Sequence, residues 1–173
     1  LRGSQTVAVQ LDDLRLGPEH VLGDPAEGYW YALNALEGGR LGIAAQAVGI
    51  AQAALDRSVE YAGEREQFGQ PVGDFQGMRF KLAEMARRVE GSRALLHRAA
   101  RAYMQGEEQT RLLSSAAKLD ASEAAMEVTR EAVQVFGGYG YAREYPVERL
   151  FRDAKITEIY EGASEIHRVI IAK

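Results

Sequence analysis

The sequence predicts an all-α protein, an antiparallel (up-down) four-helix bundle preceded by a short β segment. Three observations lead to this fold class: helical periodicity fills almost all of the chain after Pro25, glycines and prolines separate the periodic stretches, and the composition suits one buried core. Of the 173 residues, 46% are hydrophobic and 27% are charged, the profile of an ordinary globular domain. The longest apolar run, residues 41–55, falls short of the about 20 residues that a membrane helix needs, so we expect a buried helix there.

The first 24 residues predict a terminal strand and a linker, followed by a bundle domain over residues 25–173. Val7, Val9 and Leu11 alternate with smaller or polar residues, which is the period of a strand with one buried face. A single strand needs a partner for its backbone groups. We therefore expect its sheet to belong to a mostly missing β-domain, and the chain, which begins without Met, to be a fragment of a longer protein.

The first two helices are predicted over residues 28–64 and from Asp74, a plausible N-cap, to about Gly106, a natural helix end. Small residues cover much of the first helix and allow neighbours to approach closely. Its predicted apolar face follows helical spacing and comprises Leu36, Ile43, Ala47, Ile50 and Ala54. The second helix shows the threes and fours of a bundle seam, formed by Phe75, Met78, Leu82, Met85, Val89, Ser92 and Leu96.

The third helix is predicted over residues 110–136, with an apolar face of Leu112, Leu119, Met126, Val133 and Phe136. It stops at FGGYG, and Pro146 suits the first position of a fourth helix. The apolar side of that helix comprises Val147, Leu150, Phe151, Ala154 and Ile159. After a break at Gly162, a fifth helix is predicted to begin with Ile166, Val169 and Ile170.

Composition excludes some functions and leaves others open. The net charge is −4 without a basic block, so nucleic acid is not indicated as a partner. The chain has no cysteine, which fits a reducing compartment, and we expect a cytoplasmic protein. The three histidines lack metal-ligand spacing, so no metal site is predicted.

Four local features could carry chemistry, and the residues alone leave each of them open. Gly137–Gly140 suggests a phosphate loop but closes a helix, so a helix C-cap is the alternative. Arg65, in the loop between two long helices, suits a pyrophosphate or an ordinary solvated turn. Gly38 and Gly39 interrupt a helix, which indicates either a close backbone approach or a tight helix crossing. Glu161, beside a helix break, is either a placed base or a solvated carboxylate.

Together these motifs resemble the C-terminal part of the acyl-CoA dehydrogenases, most closely the short-chain, butyryl-type branch. The resemblance covers essentially the whole chain, through LEGGRLGIAAQAVGIAQAALD, YAGEREQFGQPVGDFQGMRFKLAEMA and QVFGGYGYAREYPVERLFRDAKITEIYEGASEIHR. It implies an N-terminal helical domain, a central β-domain and a C-terminal four-helix bundle. This chain would then supply the last strand of the β-domain and the bundle.

The resemblance also implies an activity. Family members bind FAD non-covalently, are usually tetramers built as dimers of dimers, and oxidise an acyl-CoA thioester to the trans-2-enoyl-CoA. Their electrons then pass to an electron-transfer flavoprotein. Glu161 matches the base that removes the α-proton while a hydride leaves for flavin N5. The residues that match substrate contacts are Glu37, Gly38, Gly39, Arg40 and Gly162. Some relatives place the catalytic Glu at the position of Gly39.

The cofactor contacts carry over in two groups. Arg65, Gln76 and the segment Gln134, Val135, Phe136, Gly137 and Gly138 match residues that contact the FAD of a neighbouring subunit. Ala163, Ser164 and Glu165 follow the base and match the segment near the flavin. The family usually has Thr where this chain has Ala163, so one side-chain hydroxyl contact is expected to be lost.

Two other functions stay open at this level. One is an oxidase-type relative that passes electrons to oxygen, and the other is a non-catalytic bundle that acts as an interaction scaffold. We also expect the isolated chain to fold as a bundle, to bind FAD poorly and to be inactive.

Overall fold

The structure is a computed structural model that describes all of residues 1–173. Five helices build the fold: α1 (Gly28–Glu64), α2 (Gln76–Gln105), α3 (Thr110–Phe136), α4 (Val147–Ile156) and α5 (Ser164–Ile171). A small antiparallel hairpin, β1 (Glu66–Gln67) and β2 (Gln70–Pro71), lies between α1 and α2. The predicted all-α class is confirmed, and α1 and α3 begin and end where the sequence predicts.

Helix α3 lies at the centre of the bundle and packs against each of the other four helices. Short connections join α1, α2 and α3, as expected for antiparallel neighbours. Helices α4 and α5 share the fourth position, because the chain breaks at Glu161 and Gly162 between them. This break places a turn, rather than a continuous helix, against α1 and α3.

The core consists mainly of small side chains, which allow the helix backbones to approach closely. On α1 the buried face is Arg40, Ala44, Ala47, Val48, Ala51, Ala54, Leu55, Ser58 and Ala62. On α3 the buried face runs mainly through alanine, serine and threonine, and it also contains Lys118. Larger buried side chains, such as Met85, Val89 and Val128, fill the space between α2 and α3.

The predicted apolar faces are partly wrong, most clearly on α3 and α5. On the other helices, the exposed members of the predicted faces are Leu36, Phe75, Phe151 and Ile159. Leu112 is exposed, and the α3 stripe is displaced toward the alanine and serine positions. On α5, Ile166 and Val169 are exposed, whereas Ser164 and His167 are buried. The physical reason is close packing. Because α3 contacts four helices, the positions on its contact face have room only for small side chains, whether polar or apolar.

The N-terminal segment does not form the predicted strand in this structure. Residues 5–11 form neither strand nor helix, and Val7, Val9 and Leu11 are 69%, 77% and 70% exposed. The reason is that no strand lies beside this segment to accept its backbone hydrogen bonds. Its assignment to a β-domain remains a prediction.

The start of α2 differs from the prediction as well. Phe75 is the N-cap, and Asp74 instead accepts a hydrogen bond from Arg79 at 2.9 Å. In the preceding hairpin, Phe68 and Gly69 both have positive φ, 54° and 82°, as a two-residue turn requires. None of the helices combines the length and the apolar character that a membrane crossing needs.

Two glycines of α2 provide a matched test of this backbone description. Gly106 ends the helix with φ +64°, whereas Gly91 lies inside it with open space where a Cβ would be. We expect G106A to lower the free energy of unfolding of the 173-residue chain by about 1 kcal/mol, because alanine is strained at positive φ. G91A should raise it by about 0.5–1 kcal/mol. Urea denaturation measures both changes, and equal shifts of the same sign would contradict this description.

Candidate active site

Glu161 lies in the turn that connects α4 to α5. Both Glu161, with φ +54°, and Gly162, with φ +100°, adopt left-handed backbone conformations. Such a conformation is uncommon for a residue with a side chain, and residues in sparsely populated conformations cluster at functional sites. The Ser164 amide closes the turn by donating to the Glu158 carbonyl at 3.1 Å. The turn is therefore a defined structure, and not a frayed helix end.

The Glu161 carboxylate points at the backbone of Gly39 in α1. A Cβ placed on Gly39 would lie 2.5 Å from Oε2 of Glu161 and 2.9 Å from its Cδ. The neighbouring Gly38 faces a different group, the Tyr103 hydroxyl, which would lie 3.4 Å from a Cβ there. Of the two explanations that the sequence leaves open, close approach is the one observed for Gly39, and the group that approaches is the Glu161 carboxylate.

Arg40 is the buried cation beside this carboxylate. It is 7% exposed, and its Nε has no hydrogen-bond partner. Burial lowers the pKa of the guanidinium; Glu37 opposes this, Arg111 adds to it, and Glu161 opposes it. A guanidinium stays charged under such conditions. Of the four predicted substrate residues of α1, the structure places Gly39 and Arg40 beside Glu161. The half-buried Glu37 lies near Arg40, and Gly38 faces Tyr103.

Lys118 of α3 is a site residue that the sequence did not reveal. Its side chain is fully buried, and Nζ donates a hydrogen bond to the Gly162 carbonyl at 2.7 Å. Burial lowers its pKa to about 8, with Glu158 and Glu161 opposing this effect and Arg40 adding to it. The signal in the sequence was a single lysine within the alanine- and serine-rich face of α3, which periodicity treats as a solvated position.

His167 of α5 lies directly beneath the turn and was also missed. The ring is fully buried, and neither nitrogen has a partner with hydrogen-bond geometry. Burial lowers its pKa to about 4; the cations Lys118 and Arg40 add to this, while the backbone of Gly162 and Glu161 opposes it. Nε2 lies 3.1 Å from where a Cβ on Gly162 would be. Glycine is thus required at 162 by both space and φ.

Tyr160 completes the contacts of the turn with α1. Its hydroxyl donates to Oε1 of Gln46, and burial raises the pKa of this phenol. This hydrogen bond ties the residue before Glu161 to the helix that carries Gly39 and Arg40. The base candidate is therefore fixed to α1 through Tyr160 and to α3 through Lys118.

The first group of predicted cofactor residues lines a groove at the other end of α3. A cavity of about 480 Å³ is bounded by Tyr61, Arg65, Gln67, Val72, Met78, Val135, Phe136, Gly137, Gly138 and Tyr139. The Arg65 guanidinium lies 5.5 Å from the centre of the Tyr139 ring, and Tyr61 stacks on Phe136 at 4.0 Å. Exposed Gln134 and Gln76 lie outside this lining, on α3 and at the start of α2.

The groove suits the ADP portion of a dinucleotide. Aromatic faces, a fixed cationic fork and two exposed glycines at a helix end offer stacking, charge pairing and close backbone approach. Gly137 is also a C-cap of α3, with φ +61° and an amide that donates to Gln134. Gly137 can therefore cap the helix and line the groove at the same time.

The second group of cofactor residues lies at the start of α5. Ala163 is the N-cap and supplies no side-chain hydrogen bond. Ser164 is buried with its hydroxyl unpaired, and Glu165 is exposed. These three residues border a separate cavity of about 340 Å³ near Glu123 and Lys155. The structure therefore does not bring the two cofactor groups together within one chain.

Comparisons with known proteins identify the family to which the chain is similar. Residues 26–173 match the family described as "Acyl-CoA dehydrogenase, C-terminal domain". An acryloyl-CoA reductase (NADH) of Anaerotignum propionicum is 47% identical over 173 residues, which is 100% of this chain and 44% of the relative. The chain thus spans less than half of that relative's length.

Solved structures give the same result. Butyryl-CoA dehydrogenase from Megasphaera elsdenii superposes with a TM-score of 0.89 at 48% identity, over 92% of this chain and 42% of that one. A structure described as an electron transferring flavoprotein of Acidaminococcus fermentans contains a chain that matches with a TM-score of 0.90 at 45% identity. That match covers 93% of this chain and 42% of the other.

The buried imidazole predicts a specific pH dependence of stability. The pKa of His167 falls to about 4 in the folded chain. Between about pH 6.5 and 4, this imidazole is therefore protonated in the unfolded chain but largely neutral in the folded chain. The free energy of unfolding should therefore fall as the pH drops through that window. Urea denaturation of the 173-residue chain at several pH values measures this slope.

The control is H167Q, which stays neutral over the whole range. Carboxylates contribute to the slope in both proteins, so the difference between the two profiles isolates His167. We expect the wild-type chain to lose more stability than H167Q between pH 6.5 and 4. Parallel profiles would show that the imidazole titrates normally in the folded chain.

Proposed function

This chain belongs to the acyl-CoA dehydrogenase family, and on that premise we propose that it is the C-terminal domain of an FAD-dependent enzyme that removes two hydrogens from an acyl-CoA thioester to form the trans-2-enoyl-CoA. One observation carries the proposal: the carboxylate of Glu161 lies against α1 in a left-handed turn. Residues in sparsely populated backbone conformations cluster at active sites, which supports Glu161 as the base that removes the α-proton.

Glu161 acts in this reaction through two groups. Its carboxylate removes the α-proton of the thioester. Its backbone N–H, which makes no hydrogen bond to another backbone group, is available to the thioester carbonyl oxygen. A donor aimed at that oxygen stabilises the negative charge that develops as the proton leaves. The left-handed conformation presents both groups on the same residue.

The surrounding residues bind and orient the substrate. Gly39 and Gly162 leave the backbone beside the carboxylate without side chains, and Gly38 does the same one residue earlier on α1. Glu37 and Arg40 provide charges of both signs on the same turn of α1. FAD, when bound, would accept the hydride that leaves the β-carbon. Arg65, Gln76 and residues 134–138 would bind its ADP portion, and Ala163, Ser164 and Glu165 would contact the flavin nearest to the base.

The partners follow from the same proposal. Residues of the two cofactor groups line separate cavities, which supports a homo-oligomer, built as a dimer of dimers, in which neighbouring chains complete each flavin site. The similarity to a chain in the structure of an electron transferring flavoprotein supports such a flavoprotein as the electron acceptor.

A second candidate is the reverse reaction, and the relative named acryloyl-CoA reductase (NADH) favours it. Glu161, when protonated, would return a proton to the α-carbon of an enoyl thioester as a hydride reaches the β-carbon. Assays of the whole protein with acryloyl-CoA plus NADH, and with butyryl-CoA plus an electron acceptor, distinguish the two directions.

The base assignment predicts a large kinetic loss for E161Q. In the whole protein, this change should slow bleaching of the flavin by butyryl-CoA by about 10²–10⁴-fold, because a general base contributes on that scale. Stopped-flow absorbance measures the rate. E60Q, which alters an exposed carboxylate of α1 that pairs with Arg57, should react at the wild-type rate. Bleaching of E161Q at the wild-type rate would refute the assignment of Glu161 as the base.

The contact between Gly39 and Glu161 predicts that G39A changes stability and activity in opposite directions. Alanine should stabilise α1 by about 0.5–1 kcal/mol, since only the flexible end of Glu161 must move. The displaced carboxylate should lower the rate of flavin bleaching by about 10–100-fold, the scale of a misplaced catalytic group.

G42A is the matched control for G39A, because Gly42 lies one turn further along α1 with nothing near its Cβ position. It should give the same gain in stability at an unchanged rate. Thermal melting and stopped-flow absorbance measure the two effects. Equal rates for G39A and G42A would show that the carboxylate does not act from its position against Gly39.

A further inference from the structure

The fully buried Lys118 has no role in the function proposed above. A lysine without solvent exposure is rare, since burial removes the hydration of its ammonium group. It is flanked on the buried face of α3 by small residues such as Ala117 and Ala121, none of which can replace that hydration. Because burying an ammonium group is unfavourable, it needs a specific hydrogen-bond partner. The identity of that partner indicates the role of Lys118.

That partner is a backbone carbonyl and not a carboxylate. Lys118 forms no ion pair with any acidic side chain, although Glu158 and Glu161 both lie near enough to influence its charge. The Glu158 carboxylate is bound instead by Lys155 at 2.5 Å. Nζ of Lys118 donates to the Gly162 carbonyl at 2.7 Å, a charge-assisted hydrogen bond stronger than a neutral one.

The Gly162 carbonyl receives no other backbone hydrogen bond. It belongs to the residue directly after Glu161, so its direction depends on the two left-handed residues of the turn. A turn in this conformation persists only where its surroundings over-determine it. Lys118 fixes the carbonyl from the side of α3, and the His167 ring fills the space against the Gly162 Cα.

We propose that Lys118 is a positioning residue for the base: by binding the Gly162 carbonyl, its ammonium holds the turn in the left-handed conformation that aims the Glu161 carboxylate at α1 and leaves the Glu161 amide free. This inference rests on the proposed function for its catalytic consequence. Lys118 does not touch the reacting atoms and acts only through the position of Glu161.

The first test measures the turn itself and requires no activity. Hydrogen–deuterium exchange of the whole protein reports on peptides covering residues 157–168, including the Ser164 amide that closes the turn. In K118M, which keeps an unbranched side chain one atom shorter and removes the donor, exchange there should become at least about tenfold faster. Exchange within α2 should not change. Unchanged exchange in residues 157–168 would overturn the proposal.

The control is K81M. Lys81 of α2 also pairs with a residue of α3, Glu131, but it lies outside the active-site turn. This variant should leave exchange in residues 157–168 and the rate of flavin bleaching unchanged. The same effect in K81M and K118M would mean that any lost contact with α3 loosens the turn, which would overturn a specific role for Lys118.

The second test is kinetic. With butyryl-CoA as the probe, K118M should lower the limiting rate of flavin bleaching by about 10–100-fold and change the half-saturation concentration by less than about threefold. When E161Q is already present, adding K118M should lower the bleaching rate little further. The reason is that Lys118 acts only by positioning a base that E161Q has removed. Independent, multiplicative losses would overturn the proposal. If K118M does not fold, K118Q takes its place in both tests.

The two tests separate this inference from the proposed function. A wild-type protein that never bleaches with acyl-CoA thioesters refutes the proposed function and with it the catalytic consequence, whereas the exchange result still decides whether Lys118 orders the turn. An active wild-type protein whose K118M variant bleaches at the same rate refutes only the role of Lys118.

Discussion

Close packing of small side chains around α3 is the constraint on which the rest of the structure depends. Alanine and serine on α1 and α3 allow the helix backbones to approach until a carboxylate on the connecting turn meets the backbone of α1 at Gly39. A larger core residue would separate the helices and move the turn away from α1. The same packing leaves no room for water around Lys118 and His167, so both groups depend on the turn for their contacts.

Burial then determines the electrostatics of the site. Arg40 on α1 and Lys118 on α3 are cations that burial disfavours, and the carboxylates of Glu161 and its neighbours offset part of that cost. His167, between the same elements, is held neutral by burial and by these two cations. The result is a base surrounded by fixed positive charge on two sides and by a neutral ring beneath. Its position is therefore set by interactions that are strong only because water is excluded.

Most of the helix bounds could be predicted from the sequence, because glycines and prolines end helices for local reasons. Gly106 with positive φ and the segment after Phe136 are examples. The buried faces could not be predicted so well: the rule that apolar residues lie inside selects Leu112 and Ile166, whereas tight packing selects Ser115 and Ser164. The alternation at Val7–Leu11 gives no strand in the structure, because a strand depends on a partner that periodicity does not reveal.

The candidate site shows the same division. Glu161, Gly39 and Arg40 were predicted together, from a resemblance and not from spacing, and the structure brings them into one surface. Lys118 and His167 were missed because their roles arise from tertiary contacts with a backbone carbonyl and a glycine Cα, which no local pattern encodes. Residues that stabilise a backbone conformation are therefore harder to predict from a sequence than residues that contact a substrate.

The geometry of α3 constrains how the proposed cofactor sites can work. On α3, Lys118 contacts the turn that carries the base, and Phe136 lines the groove that contains Arg65. At about 1.5 Å per residue, their positions along the helix are about 27 Å apart. A bundle this tightly packed does not bend to bring them together. Under the proposed function, the two groups therefore serve different flavins, and each chain completes the cofactor site of a neighbour while it supplies the base for its own.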